Sequence, residues 1–133
     1  MNYKLRSIIR FPITFVKEIK YAFQRATRGY SDKDWWSIDA HIANILSKAL
    51  PQYVKDSPSL SFQYYEGEGD EAFERGLAKR NADYLKYANF FARYYDGGIW
   101  QDEKTAQQFN GVTPEECEEA MAWLAKNFSH LWH

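Results

Sequence analysis

The stretch from residue 70 to residue 98, DEAFERGLAKRNADYLKYANFFARYYDGG, constrains the fold of this chain most. Phe73, Leu77, Tyr84, Ala88, Phe91 and Tyr95 recur at helical spacing. Leu85, Tyr87, Phe90 and Tyr94 then widen the apolar surface to nearly the whole circumference of its second half. A helix that is apolar on almost every side needs neighbours on almost every side, so this one belongs at the centre of the fold. Asp70 is placed to cap its start, with Glu71 and Glu74 in the first turn where the helix dipole favours acids. Gly97 and Gly98 supply a left-handed stop.

The remaining segments read as helices that surround it. Residues 3–27 place Leu5, Ile8, Phe11, Phe15, Val16, Ile19, Ala22 and Phe23 on one face, and Arg6, Arg10, Lys17, Lys20 and Arg28 on the other. Pro12 either kinks this helix or opens its main part. Gly29 breaks the pattern, and Ser31 starts a second helix in which Ser31 and Asp34 form a shortened capping box. Ile38, Ile42, Ile45, Leu46 and Ala49 make its expected buried stripe, and Pro51 ends it or bends it through Tyr53 and Val54. Residues 55–70 hold the Pro, Ser and Gly of a loop, with an extended piece around SLSFQYY. A short helix over residues 102–109 follows the central one and closes at Asn110 and Gly111. Thr113, Pro114 and Glu116 then spell a full capping box for a last helix that reaches about residue 129 and buries Met121, Leu124 and Phe128. The expected fold is all-α: a compact single-domain bundle of four to five helices over residues 1–133, with one longer loop at about 56–69.

A chain of 133 residues buries roughly two thirds of its unfolded surface and needs no metal or disulfide to fold. Its net charge of −1 does not invite nucleic acid, but the charge is unevenly spread. Residues 1–30 carry seven Lys and Arg against Glu18 alone, whereas residues 66–74 and 115–119 are acidic. The single Cys117 favours a reducing compartment and reads as a small helix residue, not a nucleophile. Arg10 and Lys17 interrupt the apolar run that a signal peptide would need, so a cytoplasmic location is expected. No segment approaches the roughly 20 apolar residues of a membrane span.

No arrangement of residues spells a catalytic or cofactor motif, and none implies a cofactor or a metal. His41 lacks partners at ligand spacing; His130 and His133 are three apart but have no third ligand. The acids of EGEGDE read as a solvated loop and a helix start. The densest cluster is RGYSDKDWWSID. Asp39 lies one turn beyond Trp35 and Trp36, and Arg25 and Arg28 are its nearest bases, so a structural Arg to Asp clamp is favoured. The ligand-binding alternative gives Arg25 and Arg28 the charge of an anion to hold. Trp35, Trp36 and either Tyr94 or Tyr95 would stack on a ring, with Asp39 beside them, as in nucleotide binding. Arg6, Arg10, Lys17 and Lys20 form a basic surface suited to an anionic membrane or a partner, although burial of the apolar face against the other helices is favoured over membrane binding.

RGYSDKDWWSIDAHIA resembles a segment of small, largely uncharacterised tailed-bacteriophage proteins. In them Arg-Gly, an aromatic, Ser-Asp, a second Asp, a Trp and a Leu-Asp pair recur at this spacing, with Ile38 here where Leu is usual. Those proteins also tend to share a Thr-Pro-Glu-Glu helix start and an aromatic C-terminus like NFSHLWH. The resemblance implies origin, not activity: a phage accessory protein made inside a bacterial cell. The expectation is a non-enzymatic binding protein acting on a host factor, by sequestering a nucleotide signal in counter-defence or by inhibiting or adapting a host protein. Homo-oligomerisation is compatible with either.

Overall fold

The computed structural model describes residues 3–57 and 60–131, with no account of the side chains of residues 3–12. The side chains of Arg6 and Arg10, and His133, therefore lie outside the described residues. The protein is all-α. It is 79 % helical, with six helices, four of them of seven or more residues, and no strand among the described residues. Contacts group the chain into two units, Met1–His41 and Ile42–His133.

The first unit contains α1 (Tyr3–Arg28), α2 (Asp32–Trp35) and the first turn of α3 (Ile38–Asp56). Gly29, at φ 84, turns the chain out of α1 while its N–H still donates to the Arg25 carbonyl at 3.0 Å. Ser31 then opens α2 with the expected capping box: its hydroxyl accepts from the Asp34 amide, and the Asp34 carboxylate accepts from the Ser31 amide. The single helix expected from residue 31 to Pro51 is two helices. The Asp34 carbonyl accepts from Ser37 N–H at 3.1 Å, an i to i+3 bond, and this tightened turn separates α2 from α3.

Within the first unit the apolar face of α1 is left uncovered. Ile13, Phe15, Val16, Ile19 and Phe23 are 54–69 % exposed. The reason within this unit is that α2 bonds to the polar side of α1, through Lys20, Gln24, Arg25 and Arg28.

The second unit is built on α4 (Asp70–Gly97), which buries Ala72, Gly76, Arg80, Tyr84, Tyr87, Ala88, Phe90 and Phe91. Its cap is Gly69, at φ 97, and Asp70 is its first helical residue, a correction of one position. Tyr95 and Leu85 face out, so the apolar surface of α4 is narrower than the sequence suggests. α6 (Pro114–Asn127) packs against α4 and carries the predicted Thr113 and Glu116 capping box with Pro114 at its start. Its buried residues are Ala120, Trp123 and Asn127, whereas Met121 and Phe128 are exposed. Trp123 stacks on Tyr87 at 4.4 Å, meets Tyr84 edge-on at 5.1 Å and donates its Nε1–H to the Tyr64 hydroxyl.

In α3 the isoleucines of the expected stripe face out, and the adjoining face, about 100° around the helix and including Leu46, is used. Ala43 and Leu50 are buried, and Leu46, Tyr53 and Val54 pack on the core, whereas Ile38, Ile42 and Ile45 are about half exposed. Pro51 sits inside the helix, which runs on to Asp56. Around SLSFQYY the backbone forms a 3-10 turn, Phe62–Tyr64, in place of the extended piece. That turn crosses α4 at Gly76, where a Cβ would stand 2.2 Å from the Tyr64 carbonyl oxygen. α5 (Glu103–Gln108), capped by Asp102, bulges from a loop whose ends are tied by Trp100 N–H to Val112 and Val112 N–H to Gly98.

Candidate functional site

The RGYSDKDWW segment folds into a paired set of ionic clasps between α1 and α2. Arg25 grips Asp34 with two parallel bonds, Nε to Oδ2 and Nη2 to Oδ1, both 2.8 Å. Arg28, at helical spacing from Asp32, donates Nη2 to Asp32 Oδ1 at 2.5 Å and Nε to the Tyr30 carbonyl at 2.9 Å. Gln24 adds a reciprocal pair: its amide donates to Asp32 Oδ2, and its carbonyl oxygen accepts from the Asp32 backbone N–H. Lys20 stands 3.3 Å from the same carboxylate.

These contacts hold both acids ionised. Asp32 is lowered to about 2, by its bonds to Gln24 first and then to Arg28 and Lys20. The Arg25 guanidinium, more than any other group, holds Asp34 well below the usual carboxylate range, and the Ser31 hydroxyl and amide assist. His41 completes the cluster, with Nε2 3.1 Å from the Gly29 carbonyl and Nδ1 3.6 Å from Asp34. A carbonyl can only accept, so Nε2 carries a hydrogen.

Beside the clasp lies an open cleft of about 310 Å³ lined by Arg28, Tyr30, Asp32 and Trp35. The Arg28 guanidinium lies over the Tyr30 ring, 4.6 Å from its centroid. Trp35 and Trp36 are 66 % and 86 % exposed. The cleft offers aromatic faces and one carboxylate, and a phosphate entering it would compete with Asp32 for Arg28.

The sequence-derived candidates thus divide. Arg28 and Trp35 meet at the cleft, and Arg25 is engaged by Asp34. Trp36 stands out from the turn after α2, and Asp39 is an exposed acid in the first turn of α3. Tyr94 and Tyr95 belong to α4 in the second unit, where Tyr94 packs on Phe90 and Tyr95 is exposed. Lys17 is exposed on α1, and Lys20 bonds to Asp32. Sequence reasoning missed Gln24, Tyr30, Asp32 and the second role of Asp34, which it assigned to capping alone. One signal was present, because Arg28 and Asp32 are four residues apart.

Among the described residues no cluster of three or more His, Cys, Asp or Glu could hold a metal ion, and no helix is long and apolar enough to cross a membrane. No family model, no curated protein and no solved structure matches this chain.

Proposed function

We propose that this chain is a phage accessory protein, non-enzymatic, that acts in the host cytoplasm by binding a host component through its N-terminal unit. The observation that carries this reading is the uncovered face of α1, where Phe15, Ile19 and Phe23 lie one turn apart along a line and all are more than half exposed. Contiguous apolar surface of this kind marks interaction sites, whereas scattered exposed residues do not. The C-terminal end of the polar side of the same helix is engaged by the Arg25 to Asp34 and Arg28 to Asp32 clasps, which use none of its apolar residues.

The test is capture from infected-cell lysate by the full chain and by a Phe15→Ser, Ile19→Ser, Phe23→Ser variant, with both proteins and lipids identified. The wild type is expected to retain components that the variant releases. Identical retained sets would refute the assignment of binding to α1.

The cleft favours a second reading, sequestration of a nucleotide, because Trp35 stands open beside Arg28 and Tyr30. Tight binding must raise the melting temperature of the native state. Unchanged melting with saturating linear and cyclic nucleotides would eliminate it.

A further inference from the structure

We infer that the occupant of the α1 face is an anionic lipid surface, an inference that rests on α1 being the binding element. Three observations converge on it. The helix is 26 residues, about 39 Å, long enough to lie along a bilayer surface over several turns. Within its own unit its apolar side is left uncovered, because α2 occupies only its polar side. Its charge is complementary to anionic headgroups: residues 1–41 carry eight Lys and Arg against four Asp and Glu, net +4, and residues 42–133 carry nine against fourteen, net −5.

An amphipathic helix with low overall hydrophobicity, basic residues on its polar side and Phe on the other is the pattern that lies in the headgroup region of a membrane. Phe15 and Phe23 would enter the acyl boundary, with Lys17 at the headgroups; Lys17 and Lys20 are both exposed. The charge division also argues against the nearest competitor. Two copies pairing α1 against α1 would bring seven basic residues within 1–30 of one copy against seven of the other, a repulsion that anionic lipid converts to attraction.

The experiment is co-sedimentation of the full chain with phosphatidylcholine vesicles, alone or mixed with phosphatidylglycerol, in low and high salt. Binding is expected only to the mixed vesicles, with release by salt. Each basic residue near such a surface is worth about fivefold in partitioning, so an Arg10→Glu, Lys17→Glu variant should lose at least about tenfold. An Ile19→Ser, Phe23→Ser variant should lose binding while circular dichroism shows its helix content unchanged, since both side chains are exposed.

Failure to sediment with either vesicle would overturn the inference, as would equal binding to neutral and mixed vesicles. So would a wild type that self-associates through α1 and ignores lipid. If vesicles are ignored while lysate capture still depends on the α1 face, the lipid assignment falls and the binding-unit reading stands; if neither depends on that face, both fall.

Discussion

Replacing Asp34 with Ala removes the group on which the first unit turns, and its cost can be worked from the contacts. The carboxylate accepts from the Ser31 backbone N–H at 2.8 Å, and Ser31 is fully buried. Losing that acceptor leaves a buried N–H unsatisfied, at about 1–3 kcal/mol. The two bonds from Arg25 are lost as well. That side chain is 40 % exposed and can regain water, so they contribute about 1 kcal/mol. These sum to about 2–4 kcal/mol, and the desolvation that Asp34 sheds on removal places the cost toward the lower end of that range.

The assay is hydrogen exchange at the amides of residues 31–36, because the second unit has its own core and a global melt would mix the two. Protection is expected to fall about 30-fold to several hundredfold. Asp34→Asn keeps one acceptor for Ser31 but no charge for Arg25, and should lose about 1 kcal/mol.

The sign with pH follows from the lowered pKa. The stabilisation from Asp34 and Asp32 is complete above their ordinary value of 3.8 and is lost as pH falls through their folded values, about 2 for Asp32. Protection of α2 should therefore hold from neutral pH to roughly pH 5 and decline below about pH 4. If Asp34→Ala leaves protection at residues 31–36 unchanged, or if wild-type protection collapses near pH 6, the clasp is not what holds this unit.

Three further outcomes test the second unit and the glycines. A Cβ at Gly97 would stand 2.4 Å from backbone atoms of Phe109, Asn110 and Gly111, so Gly97→Ala should cost about 3 kcal/mol by urea denaturation; Gly29→Ala, at φ 84 but with open space around it, should cost about 1 kcal/mol. Equal costs would contradict the close-approach account of Gly97. Tyr64→Phe strips the partner from Trp123 Nε1 and from Asp83, and a loss of about 1–3 kcal/mol is expected in the same assay. Burial, and Glu116 after it, pushes the Cys117 thiol up, so alkylation by iodoacetamide at neutral pH should be much slower than in denaturant; equal rates would refute its protection.

The capping boxes were legible in the sequence, and the buried faces of α3 and α6 were not. Caps are local: Thr113 with Glu116, and Ser31 with Asp34, are each satisfied within four residues of backbone, so composition alone locates them. Which side of a helix is buried depends on what approaches it. In α3 and α6 the sequence reading chose Ile38, Ile42, Ile45, Leu46 and Ala49, and Met121, Leu124 and Phe128. The protein buries Ala43 and Leu50, and Ala120 and Trp123, and of the expected residues packs only Leu46 and Leu124 on the core. Arg80 was illegible for a related reason. An arginine is expected at the surface, yet this one is buried over the rings of Tyr53 and Tyr84, donating to the Ser57 carbonyl and to Asn81. Ser57 and Asn81 are not apolar, so no periodicity marks them. The cluster around Arg28 was found by its composition, but its pairing needed the turn at Gly29, which folds α2 back on the polar side of α1 and brings Asp34 to Arg25.

The two units are held by different forces, and this bears on what the exposed residues are for. The second unit buries alanines, Ala43, Ala72, Ala88, Ala106 and Ala120, and fills the space between its helices with Tyr64, Tyr84, Tyr87, Phe90, Phe91 and Trp123. Hydrophobic burial is the main favourable contribution there. Among the described residues of the first unit those buried are Ser31 and Asp34, and the contacts that join α1 to α2 are polar, from Lys20, Gln24, Arg25 and Arg28 to Asp32 and Asp34. Among the described residues its Phe15, Val16, Ile19, Phe23, Trp35 and Trp36 side chains are exposed. Leaving apolar area in water forfeits about 25 cal/mol per Å², so a fold that leaves this much of it outside is stabilised further by whatever covers it. The polar clasps join α1 to α2 without that face, so covering it would add stability in proportion to the apolar area removed from water.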